Sequence, residues 1–347
     1  MCRYKILFID DEANDHSSSR KQLIDTLVKD TRFDIEAVHP IDFQEILDRP
    51  DTGTTPYNLI IVDYKLGSKQ SDSGSHYHSN GYAVTSLCKE KYPETPVYLI
   101  SQILNKDVTL GEHYDKMLSH TFLTKSEGRD LLFSDCIHYA TLNEKDFTLK
   151  ELFRLPKDDI DVFYQALPIE FKNIDTSKQT RETHEVLDKE PPTIRLAKWV
   201  NQVFLSRSGP LIDEDELAVL FGLKKSDKCL STLKERNEIK ECLYTGIFSN
   251  SNHPKWWAQS IFNFASSLVD TENQIMPWKQ LPTILGMPDD CLSTCVVCGE
   301  KNPECIAYDS DDLPLEQGKP AHWKCTSPSE NHEDIPGFNP TLILHDL

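Results

Sequence analysis

The sequence predicts a doubly wound α/β domain at the N-terminal end of the chain, with a five-stranded parallel sheet. Three observations predict it. Residues 5–9, 58–62 and 95–101 are apolar almost throughout, not only at alternate positions, as strands buried on both faces are. Between such runs lie segments whose apolar residues recur at helical spacing. A polar residue ends or directly follows each run: Asp10, Asp63 and Ser101. In open α/β sheets ligands bind beyond the C-terminal strand ends, so these are the candidate site positions.

The elements follow in order. Residues 5–9 form the first strand, and residues 17–30 a helix with Leu23, Ile24, Leu27 and Val28 on one face. A second strand covers 33–38, a short helix 43–47, and a third strand 58–62. Residues 66–81 are rich in Ser, Gly and His and read as an extended loop, in which His76 and His78 are solvated. A helix over 81–92 precedes the fourth strand, 95–101. The last strand is expected at 120–124, ending in Lys125, with a closing helix at 131–140. Beyond it the chain reads as mainly helical to residue 290: 194–205 is amphipathic, and 213–223 opens on acids suited to a first helical turn. Trp256 and Trp257 are core or domain-interface aromatics, and the Pro-containing stretch 188–192 is a hinge. The expected domains are 1–142, 143–290 and 291–347.

Composition narrows the function. The chain has 347 residues, is 38% hydrophobic and carries a formal net charge of −19. A negative surface repels a phosphate backbone, so nucleic acid is an unfavoured partner. No apolar run approaches the length of a membrane span, and M-C-R-Y-K leads straight into the first strand without a signal peptide. The expectation is a soluble, cytoplasmic protein.

Gathering the strand-end residues places Asp10, Asp11 and Asp63 in one cleft with Ser101 and Lys125. Three carboxylates together call for a cation, and hard oxygen donors suit Mg²⁺. A carboxylate beside a divalent cation, a lysine and a hydroxyl is equipped to take a phosphoryl group as an acyl phosphate.

The motifs K-I-L-F-I-D-D-E, L-I-I-V-D, P-V-Y-L-I-S and F-L-T-K resemble the receiver domain of bacterial response regulators, a flavodoxin-like fold. The resemblance covers about the first 140 residues. It implies that Asp63 accepts phosphate from a phosphohistidine of a cognate histidine kinase. It implies Mg²⁺ on Asp10, Asp11, Asp63 and the Lys65 backbone carbonyl. Ser101 and Lys125 would clasp the phosphoryl group, and Phe122 would be the aromatic that turns inward on activation. Such a protein is a phosphoacceptor with self-catalysed transfer and dephosphorylation, not a metabolic enzyme. Three features depart from the pattern: the 66–81 insertion, Gln102 after Ser101, and Ser126 after Lys125.

The output stays open. One reading is signalling through contacts of the C-terminal region with a protein partner or effector, in which a homodimer is allowed. A second is a phosphate sink without output, of the kind found in some phage-defence relays. A third is a transcriptional regulator, with residues 213–236 as a helix-turn-helix-like segment whose basic side is Lys224, Lys225 and Lys228.

The chain has ten Cys, half of them in one segment: Cys291, Cys295, Cys298, Cys305 and Cys325. Cys295-Val-Val-Cys298 and His322-Trp-Lys-Cys325 have the layout of a closed tetrahedral Zn²⁺ site. Cys305 could substitute for one ligand, and Cys291 is a weaker candidate. Four N/S ligands leave no open position, so the role would be to staple a small C-terminal lobe.

Overall fold

A computed structural model describes residues 3–13, 15, 17–49, 56–66, 81–102, 114–143, 148–172, 191–206, 209–224, 226–251, 254–269, 280–294, 305–308 and 319–322. The chain divides into two compact units, Met1–Phe147 with Ser177–Asn201, and Thr148–Thr176 with Gln202–Leu347.

The first unit is built on five parallel strands: β1 (Tyr4–Ile9), β2 (Phe33–Val38), β3 (Leu59–Asp63), β4 (Val97–Ser101) and β5 (Lys116–Ser119). Their spatial order is β2-β1-β3-β4-β5, the doubly wound, flavodoxin-like order. Every residue of β3 and β4 is buried, which explains their unbroken apolar runs. Strand order reverses between β1 and β3. There Ile9 pairs with Val62, so Asp10 and Asp63, the next residue of each chain segment, sit side by side at the C-terminal edge.

Helix α1 (Ser19–Lys29) starts where Ser18 accepts the backbone N–H groups of Arg20 and Lys21, a side-chain N-cap. It buries Leu23, Ile24 and Leu27. Helix α2 (Phe43–Leu47) contributes Phe43 and Ile46 to the core that Leu7, Ile9, Ile60 and Val62 also share. Helix α3 (Gly81–Lys91) begins with its backbone against the end of β3, the Gly81 N–H donating to the Tyr64 carbonyl at 3.1 Å. A Cβ at Gly81 would lie 2.3 Å from the Asp63 carbonyl oxygen, so only glycine fits this approach.

The last strand differs from the sequence expectation. β5 is Lys116–Ser119, and residues His120–Thr124 form a short helix, α4, followed by α5 (Ser126–Asn143). The reason lies in two buried acids. Asp115, just before β5, accepts the Val97 N–H at 2.7 Å and pairs with Lys89 and Lys198. Asp135 of α5 accepts from Tyr98 and from Lys116 of β5 itself, each at 2.9 Å. These charge-assisted bonds hold a short edge strand that has only one fully buried residue, Leu118.

In the second unit, Phe153, Phe163, Phe204, Tyr244 and Trp257 form an aromatic core, with Phe153 and Phe163 centred 4.6 Å apart. Trp257 is buried there and Trp256 is buried with Ile212, Leu217 and Phe221, and the two pair antiparallel with Leu211–Ile212. Buried Asp159 caps the helix Ala258–Ser267, accepting the N–H groups of Gln259 and Ser260 and the Ser260 hydroxyl. Helices Glu214–Leu220 and Asp227–Lys234 form in the 213–236 segment, the first opened by a capping box between Asp213 and Glu216. Cys229 and Cys291 are joined by a disulfide, which removes Cys291 from the metal candidates. They meet because Leu223 and Leu292 form a β-bridge and the Lys224 N–H donates to the Cys291 carbonyl.

Cys295, Cys298 and Cys325 lie outside the described residues, so the expected zinc lobe is not shown. The strands Cys305–Tyr308 and Lys319–His322 pair antiparallel, with Cys305 opposite His322. Among the described residues no group of His, Cys, Asp and Glu is placed to hold a metal, and no helix is long and apolar enough to cross a membrane.

Candidate functional site

The site lies at the β1/β3 switch point. Asp10 leaves β1 fully buried, and its Oδ1 accepts the Glu12 N–H at 2.8 Å, an Asx turn that folds the acidic loop back. Asp63 ends β3, is also buried, and accepts the Lys65 N–H on Oδ2 at 3.2 Å. Asp11 is half-buried and Glu12 exposed. Ser101 ends β4 beyond Asp63, in register with Ser119 of β5.

A buried arginine that the sequence did not single out completes the site. Arg20, in the first turn of α1, is 5% exposed. Its Nη2 donates to Asp63 Oδ1, and its Nε lies 3.7 Å from Asp10 Oδ2. The second contact is an ion pair too long for a hydrogen bond. Among the described residues, Asp10 Oδ2 and Arg20 Nη1 have no hydrogen-bond partner. The sequence signal was thin: a single cation on the polar side of an amphipathic helix reads as surface charge.

The electrostatics follow from this geometry. Burial pushes the Asp10 carboxyl up to about 7, with Asp63 adding to the rise, while the Glu12 N–H and Arg20 oppose it. Burial likewise raises Asp63 to about 6, and Arg20 is the charge that opposes it most. One guanidinium does not satisfy two buried carboxylates, and Asp10 Oδ2 is left with an ion pair to Arg20 but no hydrogen bond. Asp10, Asp11 and Asp63 are hard oxygen donors of the kind a divalent cation takes, but as they stand, with Arg20 on Asp63 and beside Asp10, they are not grouped to hold one.

The remaining expected residues are placed differently. Lys125 lies at the C-terminal end of α4, exposed, not at the end of a strand. The position directly after β5 is His120, which is buried, with Nε2 3.1 Å from the Ser19 carbonyl oxygen. Burial and the nearby Arg20 lower its pKa, which disfavours the charged imidazole. Phe122 is half-buried within α4; its carbonyl accepts the Lys125 N–H at 3.1 Å. Beside the site stand three tyrosines: Tyr64 and Tyr82 centred 5.4 Å apart, and Tyr82 and Tyr114 at 5.7 Å. The insertion after Leu66, with His76 and His78, lies outside the described residues.

No family model matches the chain, and no curated protein matches it. Among solved structures, an adenylate cyclase from Rhodopirellula baltica is similar at 14% identity and TM-score 0.30, over 41% of this chain and 92% of that one. A signal receiver domain of an HD domain-containing protein from Pseudomonas fluorescens Pf-5 is similar at 15% identity and TM-score 0.29, over 41% and 92%. What the chain itself defines is a flavodoxin-like α/β unit with two buried carboxylates and an arginine at its switch point.

Proposed function

We propose that the first unit is a phosphoacceptor of a two-component relay, receiving a phosphoryl group on Asp63 from a histidine kinase. One observation carries this reading. Two buried carboxylates of adjacent strands, Asp10 and Asp63, meet at the switch point with one Asp10 oxygen lacking a hydrogen bond. A buried carboxylate that only served stability would be fully paired. Asp10, Asp11, Asp63 and the Lys65 carbonyl would hold Mg²⁺, whose charge, when bound, neutralises the transferring oxygens.

The chain's own groups have defined parts. An Asp63 oxygen forms the new O–P bond while the N–P bond of the phosphohistidine breaks, leaving the electron pair on the ring nitrogen. The Lys65 N–H holds the other Asp63 oxygen in place. Ser101, one strand over, is the hydroxyl donor to the phosphoryl group. Hydrolysis of the acyl phosphate returns the carboxylate and releases phosphate. Lys125, exposed and beyond a helical turn, is left as a cation that meets the group from the solvent side, with Phe122 in the preceding turn as the element that responds.

The second unit would carry output through protein contacts. The regulator reading needs a basic face between residues 213 and 236, yet Lys224 donates to the Asp290 carbonyl at 3.1 Å and Lys228 pairs with the Asp290 carboxylate at 2.9 Å. For the zinc site, Cys295, Cys298, His322 and Cys325 remain the proposed ligands. Cys305, whose backbone pairs with that of His322, remains the possible substitute.

The test is incubation with a small-molecule phosphodonor and Mg²⁺. Acid-stable, base-labile label on the wild type and none on Asp63→Ala is expected. Equal labelling of both would remove the reading.

A further inference from the structure

The pocket already holds a cation of its own. Arg20 lies between the two carboxylates, on Asp63 Oδ1 and toward Asp10 Oδ2. These face the space that a divalent ion bound to both acids must fill. Mg²⁺ needs its oxygen ligands at about 2.0–2.1 Å. A guanidinium nitrogen donating to Asp63 Oδ1 blocks that approach.

We propose that Arg20 is the resident counter-ion of this pocket, and that a divalent cation binds Asp10 and Asp63 only as the Arg20 side chain withdraws. The inference rests on the phosphoacceptor reading for the identity of the cation. It goes beyond that reading by making cation entry an exchange within the chain. The two states share one set of carboxylates, so each excludes the other.

The geometry favours a displaceable arginine. Its fork is incompletely used: Nη1 has no hydrogen-bond partner among the described residues, and Nε stands 3.7 Å from Asp10. Arginine binds carboxylates most firmly through two parallel hydrogen bonds, and that arrangement is absent here. The side chain springs from the first turn of α1, next to the acidic loop. Its withdrawal would therefore require no change in the sheet. By linkage, whatever holds Arg20 in place weakens cation binding by the same factor.

Two measurements test the exchange. In the full-length wild type, the Arg20 Nε–H resonance is followed by NMR while MgCl₂ is added. It is expected to be protected from exchange without Mg²⁺, and to shift and lose protection at saturation. A resonance unchanged at saturating Mg²⁺ would overturn the proposal. Mn²⁺ binding to Arg20→Met, followed by EPR, is expected to be at least about tenfold tighter than to wild type. Equal or weaker binding would overturn it. If Arg20→Met does not fold without a divalent ion, the wild-type resonance still decides. Failure of the phosphodonor to label Asp63 while Mg²⁺ still displaces Arg20 would instead defeat the phosphoacceptor reading alone.

Discussion

Replacing Asp10 by Asn isolates the electrostatic cost of the pocket. Asp10 is fully buried, and its carboxyl titrates near 7 in the folded protein against an ordinary 3.8. Between those values the unfolded chain has released its proton while the folded one keeps it. Stability contributed by protonated Asp10 is therefore full below about pH 3.8 and is lost as pH rises toward 7. Each tenfold ratio is worth about 1.4 kcal/mol, so the loss above pH 7 is about 4 kcal/mol. Asn keeps an oxygen for the Glu12 N–H and carries no charge. In urea denaturation with EDTA, Asp10→Asn should be more stable than wild type by several kcal/mol at pH 8, and the gap should close by pH 4. With Mg²⁺ at pH 8 the wild type should recover and the variant should not. A wild type that matches the variant at both pH values would refute the reasoning, because the buried carboxylate would then be fully compensated by Arg20.

Other outcomes follow from particular contacts. Gly81→Ala puts a Cβ 2.3 Å from the Asp63 carbonyl oxygen, whereas a Cβ at Gly209 meets nothing within 4 Å. The first should cost about 1–3 kcal/mol and impair phosphorylation, and Gly209→Ala should leave the melting temperature nearly unchanged. Asp159→Ala strips the cap from the helix Ala258–Ser267, and a loss of about 2–4 kcal/mol in chemical denaturation is expected. Elemental analysis should find one zinc per chain, lost in Cys295→Ser/Cys298→Ser; metal-free, fully folded wild type would exclude the site. In a salt-titrated gel shift the chain should show no DNA binding at any ionic strength.

Much of the site was legible because strand ends announce themselves. Asp10, Asp63 and Ser101 each close an apolar run, and a parallel sheet aligns its C-terminal ends. The fifth strand was not legible. Lys116–Ser119 is an edge strand whose lysine is neutralised by Asp135 and whose register is held by Asp115. Neither partner is visible from the strand's own residues. The stretch His120–Thr124 had the apolar character of a strand but forms a helical turn, which moves Lys125 away from the sheet.

Local sequence thus determined the flavodoxin-like unit, because burial on both faces of a parallel sheet demands continuous apolar runs that few other structures tolerate. It also determined which carboxylates stand at the strand ends. Only the tertiary structure decided how their charge is balanced. Arg20 and Asp63 are 43 residues apart, and Cys229 and Cys291 are 62 apart. Ionic and disulfide pairing depends on distance in space, and no period or motif along the chain records it.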